Sequence, residues 1–163
     1  MRVVSLCPSL TELVIALGRG SKLVGRTKFC IHPADEVAAI PTVGGTKNPK
    51  VDAIVALRPD LVLMNEEENR REDADALRAA GLPLHVSFPM DAASTAALVR
   101  SLGEALDARE TAAAMAAELE RRAGAVAARA AARQAAGVPA VRFAYLIWRK
   151  PWMAVGPDTF VSR

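Results

Sequence analysis

Short apolar runs alternate with helix-forming segments over the first 107 residues, and this alternation constrains the fold more than any other feature. The runs at 3–6, 23–25, 61–64 and 84–86 do not follow the apolar-polar alternation of a half-exposed strand. Continuous apolar runs are typical of strands that are buried on both faces. Strands that alternate with helices form a parallel sheet. The sequence therefore predicts an α/β lobe in which helices cover both faces of a parallel sheet.

Helix signals follow each of these runs. Ser9 and Glu12 have the S-x-x-E spacing of a capping box, which predicts a helix that begins here and ends at Gly18. Asn48 and Pro49 predict the N-cap and first turn of a short helix at 51–57. Further helices are predicted at about 70–80 and 93–106.

Residues 108–136 form the longest helical pattern in the chain. This segment is rich in Ala, Glu and Arg, has no proline and contains one glycine, Gly124. At 1.5 Å per residue it would span about 42 Å, which is more than a lobe of this size needs. A new apolar strand is predicted beyond it, at 141–148. The chain is therefore divided into a lobe at 1–107, a long helix at 108–137 and a fragment of a second lobe at 138–163.

Charge and hydropathy exclude two classes of partner. The net charge of +3 is small and unclustered in a chain of 163 residues, which argues against nucleic-acid binding. No apolar run reaches the roughly 18 residues that a membrane span needs. Polar residues and Pro8 interrupt the start of the chain before an export signal is complete, which keeps a cytoplasmic location open as an alternative. Two cysteines leave the redox compartment open.

Residues just after the strands are the candidates for a binding site, because ligands of open parallel sheets bind beyond the carboxyl ends of the strands. These segments are 7–9, 27–30, 65–66 and 87–88. None of them is a phosphate-binding loop, a dinucleotide fingerprint or a nucleophile elbow. Nucleotide chemistry is therefore not expected.

A metal site, a nucleophile and a general base are three functional interpretations of single residues that also have structural explanations. Cys7, Cys30 and His32 would make a soft metal site, but their spacing is not that of a metal motif and buried thiols are favoured. Ser9 with Glu12 would resemble a nucleophile and an acid, although a capping box explains both. His85 is interpreted as a core or edge histidine and not as a base.

The two tryptophans, Trp148 and Trp152, lie close together near the end of the chain. They are interpreted either as core of a second lobe or as an apolar wall for a bulky ligand. The strand at 141–148 needs a partner for its edge. We expect it to fold back on its own lobe or, preferably, to pair with the same strand in a second molecule, which would give a homodimer through the C-terminal segment.

Several segments together resemble a known family. They are VVSLCPSLTEL at 3–13, VGGT at 43–46, IVALRPDLV at 54–62, and KPWM at 150–153 with GPDTF at 156–160. In order and spacing the chain is similar to the class III substrate-binding proteins of ABC importers. Within the helical-backbone metal receptor superfamily, it most resembles the cobalamin-binding branch.

The resemblance implies two Rossmann-like lobes joined by one long helix, with the ligand in the cleft between them. This chain would hold one lobe, the helix and the start of the second lobe. The implied function is capture of a corrinoid or related metal chelate and delivery to an ABC permease, with no catalytic residues, no resident metal and no cofactor other than that ligand. The implied location is extracytoplasmic. The expected ligand-binding residues are Pro8, Ser9, Phe29, Cys30, Gly45, Thr46, Asn65, Glu66, Trp148 and Trp152.

Two positions depart from the family pattern. Gly45 stands where family members often place an aromatic residue. Family members dock to the permease through an acidic residue on each lobe, and Glu72 is the candidate here, with Arg71 beside it. The departure at Gly45 concerns contact with the ligand, and the departure at Arg71 concerns contact with the permease.

The ligand order expected from the resemblance is cobalamin or another corrinoid first, ferric siderophore second and haem third. Haem-binding relatives favour Tyr or His as iron ligands. In this chain Tyr145 is the single tyrosine, and His32 is the one well-placed histidine. Cobalamin brings its own cobalt ligands and needs shape and apolar contact. A cytoplasmic chelatase-like or other tetrapyrrole-handling enzyme, and a storage or regulatory domain, remain the competing classes.

Overall fold

Four parallel strands form the sheet of the N-terminal lobe in the computed structural model, which describes residues 1–156 and 159. Their spatial order is β2-β1-β3-β4. Val4 lies opposite Val62, and Met64 lies opposite Val86. This confirms the α/β fold class and the parallel sheet. The strands are β1 (Val3–Ser5), β2 (Leu23–Arg26), β3 (Leu61–Asn65) and β4 (Leu84–Ser87).

Helices cover both faces of this sheet, as predicted. Successive strand residues point to opposite faces, so Val3 packs in one apolar cluster and Val4 in another. Helices α1, α5 and α6 cover the Val3 face, and α3 and α4 cover the Val4 face. The helices are α1 (Pro8–Ala16), α2 (Ala34–Val37), α3 (Val51–Ala56), α4 (Arg71–Ala79), α5 (Ala92–Ala105) and α6 (Arg109–Ala135).

The predicted capping box of α1 is wrong. The helix begins at Pro8, one residue before the expected cap, and Cys7 occupies the N-cap position. Proline suits this first position because its fixed φ is helical and it has no N–H to satisfy. Ser9 therefore lies inside the first turn, where its Oγ is 3.2 Å from the Cys7 Sγ.

The other helix starts also differ from the sequence signals. Lys50, and not Asn48, precedes α3, because residues 44–49 first make a tight loop in which Gly44 and Pro49 pair. Helix α5 has the reciprocal capping box that α1 lacks. Asp91 Oδ1 accepts from the Ser94 amide at 2.7 Å, and Ser94 Oγ accepts from the Asp91 amide at 3.0 Å. Serine replaces the usual glutamate at the third position, so the sequence pattern did not indicate it.

Helix α6 is the long helix that was predicted, with 27 residues and a length of about 40 Å. It packs on α5 through small side chains, and a Cβ added at Gly103 would overlap the Ala112 Cβ. Arg100 reinforces this contact with two hydrogen bonds to Glu120, at 2.7 and 2.8 Å. All residues from 124 to 135 are exposed. The first half of α6 therefore belongs to the lobe, and the second half projects from it.

The strand predicted at 141–148 is shorter and is paired differently. It is β5 (Leu146–Arg149), which forms an antiparallel hairpin with β6 (Trp152–Ala154). The sequence pattern did not indicate β6, which begins six residues after the start of β5. The expectation that β5 must pair with its own lobe or with a second molecule is therefore wrong. Homodimer formation itself stays a prediction. Residues 157, 158 and 160–163, which include part of the GPDTF segment, lie outside the described residues.

Within the described residues, no helix combines the length and apolar character needed to cross a membrane.

Candidate ligand-binding site

The switch-point groove lies where the carboxyl ends of β1 and β3 meet. From β1 the chain passes to β2 on one side of the sheet and then returns to β3 on the other side. Such a switch point opens a crevice for ligands in parallel sheets. A depression of about 330 Å³ lies at this place. Its lining residues are Cys7, Pro8, Ser9, Asn65, Glu67, Glu68 and Pro89.

Three of the predicted binding residues therefore meet in the switch-point groove, namely Pro8, Ser9 and Asn65. Glu67, Glu68 and Pro89 line it as well and were not predicted. They follow strand ends by two or three positions, and the two glutamates are adjacent in an acidic run, 66–68. That run was the signal available in the sequence.

Asn65 shapes the loop that carries the two glutamates. Its side chain is buried at the end of β3, and its Oδ1 accepts hydrogen bonds from the amides of Glu67 at 2.9 Å and Glu68 at 3.2 Å. An Asn side chain that bonds to amides two and three residues ahead imitates a backbone turn. Ser87 holds the loop from β4, because its carbonyl accepts from the Glu66 amide at 3.0 Å.

Asn69 joins three segments behind the groove. Its Nδ2 donates to the carbonyl of Leu6 at 3.0 Å and to that of Thr46 at 2.9 Å, while its Oδ1 accepts from the Asn65 amide at 2.8 Å. The side chain is buried. Asn69 was not among the predicted residues, and the one signal for it is its four-residue spacing from Asn65. It positions the groove without lining it.

Phe29 and Gly45 are brought together, although neither lines the groove. A Cβ at Gly45 would lie 3.3 Å from the Phe29 ring and would collide with Asn48 Oδ1. The glycine therefore leaves room for a ring that comes from another loop. Phe29 is 52% exposed, and the Lys28 Nζ lies 5.0 Å from its ring centroid. Phe29, and not position 45, therefore carries the exposed aromatic ring of this pair of residues.

Cys30 and Thr46 lie in the interior of the loops and not on the surface of the site. Cys30 is buried with its Sγ 3.2 Å from Thr27 Oγ1. Thr46 is also buried and contributes its carbonyl to Asn69. Both support the loops that present Phe29 and Gly45.

Cys7 is the thiol that borders the groove. Burial raises its pKa above the usual thiol value, the hydrogen bond between its Sγ and the Ser9 side chain opposes this, and the negative charge of Glu68 raises the pKa further. The thiol is therefore protonated at neutral pH and is a poor nucleophile. In the described part of the chain, no three or more His, Cys, Asp or Glu residues are grouped so that they could hold a metal ion.

Glu66 lies in a separate cavity next to the groove. This cavity, of about 400 Å³, is bordered by Glu66, Arg70, Arg71 and Arg78 together with Asn65, Asn69 and the apolar side chains of Met64, Ala74 and Val86. Glu72 is exposed in the first turn of α4, directly after Arg71. The predicted docking carboxylate is therefore accessible beside an arginine-lined surface.

Trp148 and Trp152 lie together on the β5-β6 hairpin. Both are exposed, and they line a depression of about 570 Å³ with residues 146, 147, 149 and 150. The Arg149 guanidinium is 6.0 Å from the Trp152 ring. The hairpin thus presents a separate aromatic surface that is distinct from the lining of the switch-point groove.

His85 is placed in β4, away from the groove. Its Nε2 lies 2.9 Å from the Ser101 Oγ of α5. Burial lowers the pKa of the imidazole below its usual value. This is the environment of an edge-strand histidine that packs against a helix.

A family model described as periplasmic binding protein matches residues 3–163 of this chain. The chain belongs to the periplasmic binding protein family. Among curated proteins of this family type, the vitamin B12-binding protein of Yersinia pestis (strain Pestoides F) is 38% identical over 88 residues, which are 54% of this chain and 31% of that protein.

Two solved structures show how far the fold of the family extends over this chain. The periplasmic vitamin B12-binding protein of Vibrio cholerae has a TM-score of 0.84 at 22% identity, covering 97% of this chain and 60% of that one. A periplasmic heme-binding protein from Pseudomonas aeruginosa has a TM-score of 0.81 at 28% identity, covering 98% and 57%. The chain thus spans between about a third and three fifths of the proteins it matches, and its family comprises binding proteins.

Proposed function

We propose that this chain is the N-terminal lobe, helix and hairpin of a substrate-binding component of an ABC importer, and that it contacts a corrinoid at the switch-point groove. The observation that carries the proposal is the meeting of Pro8, Ser9 and Asn65 at the point where the strand order reverses. The family match and the similarity to vitamin B12-binding proteins support it.

The lining of the groove favours a corrinoid over haem. Haem iron requires an axial ligand from the protein, and the described lining offers one thiol, Cys7, which is 3% exposed and protonated. Tyr145 lies just before the hairpin and His32 lies exposed in the loop after β2. A corrinoid brings its own cobalt ligands and needs contact area, which Pro8 and Pro89 provide in the groove.

Binding, and not catalysis, is the proposed activity, and the bound chelate is the only small molecule the proposal requires. The extracytoplasmic space is the proposed location, as in the family. Glu72 is the proposed contact to the permease, because it is exposed at the start of α4 and a carboxylate can pair with a basic residue on a partner.

A calorimetric titration of the chain with cyanocobalamin tests the proposal. We expect weak binding, with a Kd above about 1 μM, because the groove covers one face of the ligand and affinity grows with enclosure. Ser9→Trp should abolish binding by filling the groove, whereas Ser21→Trp, at an exposed serine in the turn before β2, should leave it unchanged.

Two outcomes would change the proposal. Binding of hemin without binding of cyanocobalamin would favour haem, which the similarity to the Pseudomonas aeruginosa protein keeps as the second candidate. Submicromolar binding of cyanocobalamin by these 163 residues would show that a second lobe is not needed to enclose the ligand.

A further inference from the structure

Two carboxylates set the charge of the switch-point groove. Glu67 and Glu68 line it, and among the described residues that border it none is basic. The other lining residues are uncharged. The lining therefore carries two negative charges, and the Lys47 ammonium, which donates to the Glu67 carbonyl, offsets part of them.

The loop that carries these glutamates is held in place. Asn65 Oδ1 binds both of their amides, and Asn69 binds the Asn65 amide in turn. The ammonium group of Lys47 donates to the carbonyl oxygen of Glu67 and so also holds the main chain of this loop. A preorganised charge acts on a ligand at no cost in reorganisation.

The negative charge of Glu68 acts on the Cys7 thiol in the lining of the groove. It contributes to the raised pKa of the Cys7 thiol, which borders the same depression. Glu68 is therefore close enough to act electrostatically on whatever occupies the groove. A bound ligand would also exclude water and strengthen this effect.

We propose that Glu67 and Glu68 make the groove selective for chelates whose rim carries neutral amides and against chelates whose rim carries carboxylates. This inference rests on the proposed function and narrows its ligand class. Amide N–H groups of a corrinoid can donate to the two carboxylates as charge-assisted hydrogen bonds. Carboxylates of a haem or of a carboxylate siderophore would meet the like charge of the two glutamates.

A matched pair of ligands isolates this charge effect. Cyanocobalamin and its monocarboxylate, in which one peripheral amide is hydrolysed, have nearly the same shape and differ in charge. Both are titrated into the wild-type chain, into the double variant Glu67→Gln/Glu68→Gln and into the control Glu110→Gln. Glu110 is an exposed glutamate in the first turn of α6, away from the groove. Hemin is titrated as a third ligand, and circular dichroism checks that each variant is folded.

We expect the wild type and Glu110→Gln to prefer the amide form by about tenfold, which corresponds to about 1.4 kcal/mol. The double variant should lose most of this preference, chiefly because the monocarboxylate binds more tightly. Raising the ionic strength from about 50 mM to about 300 mM should reduce the wild-type preference, since the groove is open to solvent.

The possible failures are distinguishable. If the wild type binds cyanocobalamin but the preference is unchanged in the double variant, the charge selectivity is overturned and the proposed function stands. If hemin binds and neither corrinoid does, the proposed function fails, and the selectivity fails with it because hemin carries carboxylates.

Discussion

The side-chain Nδ2 of Asn69 donates a hydrogen bond to the carbonyl of Leu6, which is 3.0 Å away in space and 63 positions away in sequence. Leu6 directly follows the central strand β1, and Asn69 lies in the loop before α4. The same amide group also binds the Thr46 carbonyl. One buried side chain therefore fixes the relative position of three loops around the candidate site.

Asn69→Ala should lower the free energy of unfolding by about 2–4 kcal/mol, because it leaves two carbonyls and one amide without their partner in a buried place. Urea denaturation measures this. Gln134→Ala removes an exposed amide from α6 and should change stability by less than about 0.5 kcal/mol. Equal effects of the two substitutions would contradict the bridging role of Asn69.

Gly103→Ala should destabilise the lobe by about 1–2 kcal/mol. The added Cβ would overlap that of Ala112, and both are fixed to helix backbone. This overpacking costs about 1–3 kcal/mol and outweighs the helix propensity gain of about 1 kcal/mol. Thermal denaturation gives the sign of the change.

Gly124→Ala is the matched control for that substitution. It lies in the exposed part of α6, and apart from its chain neighbours and the backbone of its own helix none of the described residues has an atom within 4 Å of the added Cβ. Only the propensity gain remains, so stability should rise by up to about 1 kcal/mol. A gain of stability at Gly103 would show that the α5-α6 contact is looser than described, and a loss at Gly124 would show that this part of α6 is not free of contacts.

Acidification should destabilise the lobe through His85. Burial lowers the pKa of this imidazole in the folded state, so the unfolded chain binds the proton first as pH falls. The neutral form contributes its full stability above the unfolded pKa of about 6.5, and that contribution decreases as pH falls below it. Denaturation midpoints measured between about pH 7.5 and pH 5.5 should therefore fall less in His85→Gln than in the wild type. His32→Gln, at an exposed histidine, is the control and should keep the wild-type slope.

Glu72→Ala should separate docking from folding. The residue is exposed on α4, so its removal should change the unfolding free energy by less than about 0.5 kcal/mol. We expect loss of binding to the permease with ligand affinity unchanged, measured by pull-down and by titration. Unchanged transport with the variant would remove Glu72 from the interface.

The sequence predicted the sheet and its helices because burial on both faces leaves a continuous apolar run, as in β1 and β3. It predicted Pro8, Ser9 and Asn65 because strand order and direction place strand ends at one edge. It did not indicate Asn69, since a bridge between loops 63 and 23 positions apart leaves no local pattern. It also misplaced the cap of α1, where Pro8 and Ser9 offered competing start signals one residue apart.

The hairpin gives a further test of the expected homodimer. Leu146, Trp148 and Trp152 are all about half exposed or more, although β5 and β6 pair with each other. An exposed apolar surface of this kind favours association. Light scattering over a dilution series should show a dimer near 35 kDa, about twice the 17.3 kDa of the chain, that dissociates on dilution. A monodisperse monomer at all concentrations would contradict it.

Only the first half of α6 is anchored, and this determines what small movements of the lobe can do. Ala112 and Ala116 clamp the helix against α5, and residues 124–135 are all exposed. Such a helix is rigid along its length and is anchored at one end. A tilt of about 5° at the clamp would carry its free tip, about 28 Å from Ala116, through about 2.5 Å. A sub-ångström adjustment where α5 meets the sheet would therefore be enlarged severalfold at the hairpin, where the two tryptophans lie.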